Sequence, residues 1–257
     1  MALFGLLGTK VKDPKVESLR KEDKEIFALT KEELDSGKTT ISYLKEARQL
    51  IELAIRNTKD LLELVRMGKP PRHHDFDFED VQGEYEKANR LLEKARNASV
   101  AFHDDLKRLT QHLFNAESLL KDNFEKVGHK SFEDVELFKN TEYTIIGEFP
   151  SLDEQINILI TLLYRDVIPL LKDLADEEKL SNKEMNELST LSKRLTSDVK
   201  KLYERAERFE KILHNVNKRM RKLEFADKHL EKEVLSHLKK ARTVIKDAHN
   251  YEGGYDR

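Results

Sequence analysis

The chain has no cysteine and no tryptophan, and only 9 glycines and 5 prolines in 257 residues. Without cysteine there are no disulfides, no zinc–thiolate sites and no thiol nucleophile, and a reducing, cytoplasmic setting is the expectation. No apolar run approaches the roughly 20 residues that cross a bilayer as a helix, so no membrane span is expected. Nor does a secretory leader: nothing basic precedes Leu3, and Gly5 and Gly8 interrupt the apolar stretch. Phosphate-cradling glycine loops, serine nucleophile elbows and zinc-protease motifs are missing from the sequence, which is therefore read as non-enzymatic and without a cofactor.

What remains is charge and periodicity. Charged residues make up 37% and apolar residues 38% of the chain, too apolar for disorder and too charged for a thick globular core. Long amphipathic helices satisfy both numbers by burying one stripe each. The expected fold class is all-α: an elongated bundle of about five helices, with long coiled-coil-like third and fifth helices.

The expected organisation is an N-terminal arm (1–13), one helical domain (14–250) with an irregular insert at 128–150, and a tail (251–257). A first helix is read from Pro14 to Leu34 and stops at Ser36-Gly37. A second runs from Thr39 or Thr40 to Met67 on the stripe Leu44, Ala47, Ile51, Ala54, Thr58, Leu61, Val65, and Gly68 with Pro70-Pro71 ends it. The third is read from Glu79 to Val127. One heptad set there is Tyr85, Leu92, Ser99, Leu106, Leu113, Leu120, Val127, and the other is Val81, Ala88, Ala95, Phe102, Leu109, Ala116, Asn123. Within the insert, a helical turn is read at Ser131–Phe138 and an extended segment at Glu142–Gly147.

Ser151, with Glu154 three residues on, reads as the cap of the fourth helix. That helix buries Leu152, Ile156, Leu159, Leu163, Ile168, Leu171 and Leu174, and Pro169 is expected to kink it. Its further apolar residues, Ile158, Ile160, Leu162 and Leu170, suggest the centre of a bundle. The fifth helix is read from Ser181 to Asn250. Its seam is Leu188, Leu195, Leu202, Phe209, Val216, Leu223, Leu230, with a companion set through Met185, Val199, Ala206, Leu213, Met220 and Val234. His237 and Asp227 fall on seam positions, so tight packing is read as ending near Leu223, with Asp227 a place where the helix could break. The fifth helix outruns its partners, and covering its seam implies self-association.

Charge is uneven. Ser181 to Asn250 holds 18 Lys/Arg against 11 Asp/Glu, while residues 1–180 hold 28 against 36. Such asymmetry can guide antiparallel self-association or an approach to an anionic surface. The densest cluster, Lys218, Arg219, Arg221 and Lys222 around Met220, lacks interleaved aromatics. It is read as a solvated helix flank and not as a nucleic-acid site.

Leu3, Phe4, Leu7 and Val11 form one side of the arm when drawn as a helix, with Lys10 at its edge and Lys12 opposite. In outline this resembles the short N-terminal membrane anchors of N-BAR, ESCRT-III and phage-shock-type coiled-coil proteins. The likeness covers a dozen residues and assigns no individual roles; it implies a peripheral contact with the anionic inner face of a membrane. The competing reading docks the arm on the protein's own bundle.

Metal chemistry has weaker footing. His73, His74, Asp75, Asp77, Glu79 and Asp80 are crowded, but their spacing matches no defined binding loop, and the reading is a polar loop feeding an acidic first helical turn. Glu210/His214, Glu233/His237 and Asp173/Glu177 are pairs four apart. The last is similar to carboxylate pairs of PhoU-like bundles, whereas a ferritin-like site needs Glu-x-x-His twice. No metal residue is assigned. The leading expectation is a self-associating helical scaffold with peripheral membrane contact. The alternative is a ligand- or metal-responsive bundle, PhoU-like or ferritin-like.

Overall fold

The computed structural model describes residues 14–68, 77–124, 140, 147, 149–176 and 181–252, with side chains except at 14–16, 19, 20, 23, 120–124, 176 and 219–252. Nearly all of these residues are helical, and no strand occurs among them. Among the described residues the helices are α1 (Pro14–Arg66), α2 (Phe78–Phe124), α3 (149–176) and α4 (Asn182–Glu252). The arm residues Leu3, Phe4, Leu7, Lys10, Val11 and Lys12 lie outside the described residues, as do Ser131–Phe138 and all of Glu142–Gly147 but Gly147, which is helical.

The first two helices read from the sequence are one continuous helix of 53 residues. Gly37 is not a stop. Ile26, Thr30, Glu33, Gly37, Thr40, Leu44, Ala47, Ile51, Ala54, Thr58 and Leu61 are all buried, at alternating steps of four and three. Gly37 therefore occupies a core position of an unbroken stripe. A Cβ there would stand 2.7 Å from Leu213 Cδ1 and 3.4 Å from Phe102 Cδ2, so the missing side chain makes room for Leu213. The buried threonines are neutralised locally: Thr30, Thr40 and Thr58 donate to the carbonyls of Ile26, Ser36 and Ala54 at 2.7, 3.0 and 2.7 Å. Gly68, in the left-handed conformation at φ 72°, is the glycine that ends α1.

α2 begins with a reciprocal cap. The Asp80 N–H donates to the Asp77 carboxylate (3.0 Å), and the Asp77 N–H donates to the Asp80 carboxylate (3.1 Å). Ser181 and Glu184 repeat the device at the start of α4 (3.3 and 2.9 Å). α4 then runs as one helix of 71 residues, passing Asp227 without a break.

The contacts gather the chain into two compact units. The larger comprises described residues 32–68, 77–105, 147, 149–176 and 181–214. Within it, α1 and α2 run antiparallel, tied by Ser36 to Asp105 (3.4 Å) and by Asn57 to Glu84 (3.0 Å). α2 meets α3 through Ser99 and Asp153 (3.1 Å), and Phe102 meets Phe149 at 4.8 Å between ring centroids. Gln155 donates to the Asp198 carbonyl (3.3 Å), and Arg205 donates to the Ser151 carbonyl, joining α3 to α4. Lys45 pairs with Glu210 at 2.9 Å and closes α4 onto α1. Each neighbour is antiparallel to the last, so the described helices of this unit form an up-down-up-down bundle. Its core includes Tyr85, Leu92, Leu159, Leu195, Leu202 and the cluster Phe102–Phe149–Phe209. Tyr85 is buried with its hydroxyl 3.4 Å from that of Thr58, and desolvation raises its pKa well above the ordinary phenol value.

The smaller unit comprises described residues 14–31, 106–124, 140 and 215–252. Glu22 of α1 accepts from α2 there, lying 2.8 Å from His112 Nδ1 and 3.5 Å from Asn115 Nδ2. Ile26, Leu29, Leu106, Leu109, Leu113, Ala116 and Val216 are buried in it.

Candidate interaction surface

α3 departs most from its sequence reading. Residues 149 and 150 are already helical, so Ser151 lies inside the helix and is not its cap. The helix is not central either. It takes its place in the ring between α2 and α4, and among the four extra apolar residues only Leu162 is fully buried. Ile160 and Leu170 are half-buried, and Ile158 is exposed.

The disturbance expected at Pro169 takes the form of a π turn, Leu163–Val167. Proline lacks an N–H, and its ring presses on the carbonyl four residues back. Widening the preceding turn relieves that clash, and the Ile168 N–H accordingly donates to the Leu163 carbonyl, five residues back. The same widening changes the core register. Leu152, Leu159, Val167 and Leu174 are buried at spacings of seven, eight and seven, and Ile156, Leu163 and Leu171 at seven and eight. Val167 is thus the core residue, and Ile168, expected in the core, is half-buried.

The π turn also shapes the outer surface. Tyr164, Arg165 and Asp166 are three consecutive exposed residues, and Tyr164 is 67% exposed. The N–H that would have served the Tyr164 carbonyl goes to Leu163, and Pro169 has none to offer. Ile158, Thr161, Tyr164 and Pro169 are exposed around this turn, and Ile168 is half-buried. The outer side of α3 thus carries one exposed aliphatic side chain, Ile158, and one exposed aromatic ring, Tyr164, which suit contact with another polypeptide. The other exposed apolar residues of α2, Val100 and Phe114, stand singly, which is ordinary for a protein surface.

The seam between α1 and α4 was a second candidate. Its cleft, walled by Leu44, Lys45, Arg48, Leu202, Tyr203 and Glu210, has about 10 Å³ of free room, the lower limit for one water molecule. The Arg48 guanidinium lies 3.7 Å from the centre of the Tyr203 ring, and its Nε is 2.6 Å from Glu52. The hydrogen bond to Glu52 raises the arginine pKa further. The cleft is closed by paired side chains and offers no ligand chamber.

The residues singled out in the sequence fall as follows. Leu188, Leu195, Leu202, Phe209 and Val216 are buried along α4, and Lys218 is exposed. The side chains of Arg219, Arg221, Lys222, Leu223 and Leu230 lie outside the described residues, as do His73, His74 and Asp75. Asp77 and Asp80 hold the start of α2, and Glu210 binds Lys45. Among the described residues, no three His, Asp or Glu side chains converge as a metal site, and no helix is long and apolar enough to cross a membrane. The α3 surface was missed. Its sequence signal was the excess of apolar residues around that helix, which on a peripheral element must leave some exposed.

The sequence matches no protein-family model and no curated protein.

Proposed function

We propose that this chain is a non-enzymatic helical scaffold that associates with copies of itself through the C-terminal part of α4. One observation carries the reading. α4 brings residues 215–252 to the smaller unit, about twice the helical length that α1 (14–31) and α2 (106–124) bring among the described residues. The heptad positions Leu223, Leu230, Val234, Ala241 and Val244 continue along that length in the sequence. An apolar stripe longer than its partners favours pairing with another molecule, and coiled-coil packing is the arrangement that heptads favour. The arm supplies a second, reversible contact, with Leu3, Phe4, Leu7 and Val11 entering an anionic membrane surface on the cytoplasmic side and Lys10 and Lys12 near its headgroups.

Light scattering tests the self-association. The wild-type mass should rise with concentration, and full-length Leu230→Asp/Val234→Asp should remain monomeric with unchanged helicity. A wild type that stays monomeric at every concentration would overturn the proposal. Co-sedimentation with anionic vesicles tests the arm: the full chain should pellet, and a variant lacking residues 2–12 should not.

A further inference from the structure

We infer that the outward face of α4 in the larger unit lies against an anionic membrane surface, the same kind of surface that the N-terminal arm enters. The inference rests on the reading that this chain meets such a membrane, and it adds a second contact made of described side chains.

The face follows from the burial pattern of α4. Leu188, Leu195, Leu202 and Phe209 are buried in the bundle. On the opposite side of the helix, Lys193, Ser197, Lys200, Glu204, Arg208 and Lys211 succeed one another at steps of four and three, and all six are exposed. Four of them are cations in a row about 27 Å long at 1.5 Å per residue. Arg194 and Lys201, beside the row, pair with Asp198 at 3.8 and 3.1 Å, whereas none of the four forms an ion pair among the described residues. Glu204 is the one acid on the row, Glu207 flanks it, and Glu210 is engaged by Lys45 of α1.

The other helices of the unit offer no equal. Exposed Lys/Arg against exposed Asp/Glu number seven to four on α4 (182–214), five to six on α1 (32–66), four to three on α2 (77–105) and two to three on α3 (149–175). An anionic surface therefore draws α4 toward it in preference to its neighbours.

The make-up of the row favours lipid headgroups over nucleic acid. No aromatic side chain interleaves its cations, so bases find nothing to stack on. Anionic headgroups need no fixed spacing and gather beneath a row of point charges. Each cation contributes a weak, reversible attraction, and carrying the face and the arm on one chain lets either contact strengthen the other.

Co-sedimentation of the full-length chain with vesicles of mixed phosphatidylserine and phosphatidylcholine tests the face. Lys193→Gln/Lys200→Gln/Arg208→Gln/Lys211→Gln removes the row. Arg56→Gln/Lys59→Gln/Lys87→Gln/Lys172→Gln removes the same charge from exposed positions scattered over the other three helices, and circular dichroism checks both folds. The row variant should partition roughly tenfold or more weakly than wild type, and the scattered variant nearly as wild type does. If the row variant pellets like wild type, or if both variants lose equally, the face falls and the arm reading stands. If a duplex DNA or RNA binds wild type but not the row variant while vesicles fail to tell the two apart, the face serves a nucleic acid and the inference is overturned. Row-dependent pelleting of a chain lacking residues 2–12 would support the face and remove the arm. A wild type that stays in the supernatant would remove both.

Discussion

Gly37 shows how one residue type can carry opposite messages. Next to Ser36 it reads as a helix terminator, yet it sits mid-helix because Leu213 fills the space where its side chain would be. Replacing it with alanine should change stability by less than about 1 kcal/mol, since a helix-propensity gain of about that size is offset by a shift of the Leu213 tip. Gly37→Leu should cost about 1–3 kcal/mol through overpacking, which urea unfolding will measure. Tyr85 makes a pH statement. Its pKa is raised in the folded state, so its contribution is fully present below the unfolded value near 10 and is lost as pH climbs beyond it. Stability should fall from about pH 10 upward, with Tyr85 contributing up to about 1.4 kcal/mol per pH unit. Tyr85→Phe should flatten that alkaline slope, and an identical slope in the variant would show that the phenol is not the cause.

At the scale of elements, the heptad positions of α2 and the first half of α4 were legible, because leucine, valine and phenylalanine recur there and are buried. The unity of α1 was hidden. Its stripe passes through Thr30, Glu33, Gly37 and Thr40, none of which reads as apolar, although all four are buried. The helix start at Ser181–Glu184 follows a spacing that sequence alone can reveal. The same spacing at Ser151–Glu154 misleads, because residues 149 and 150 are already helical. Ser181→Ala should therefore lower stability by about 0.5–2 kcal/mol, and Ser151→Ala should not lose a cap. Parallel thermal melts distinguish the two. The candidate surface on α3 was illegible for a related reason: periodicity gives the width of an apolar face but not which part of it neighbours cover.

For the whole molecule, charge asymmetry matters more than net charge, which is only −2. Residues 215–252 hold ten Lys/Arg against six Asp/Glu, so the sign of a salt effect tells what kind of surface they meet. If opposite surfaces meet, raising ionic strength from about 0.1 to 1 M, which shortens the screening length from about 10 to 3 Å, should weaken assembly. If two α4 segments met each other, the same change should strengthen it. Sedimentation velocity across a salt series reads that sign without any mutation.

The π turn of α3 has a consequence for how the sequence tolerates insertion and deletion. Eight residues separate Leu163 from Leu171, and eight separate Leu159 from Val167, where an uninterrupted heptad frame would have seven. One residue of Tyr164, Arg165 and Asp166 is therefore surplus to the frame, bulged outward so that both flanks of the helix keep phase. Removing Arg165 would restore seven-residue spacing, but it would also force Pro169 into a regular helix at a cost of about 3 kcal/mol. The deletion combined with Pro169→Ala should recover most of that loss in chemical denaturation. The extra residue and the proline would then be a matched pair of edits to one helix, each tolerable because the other is present.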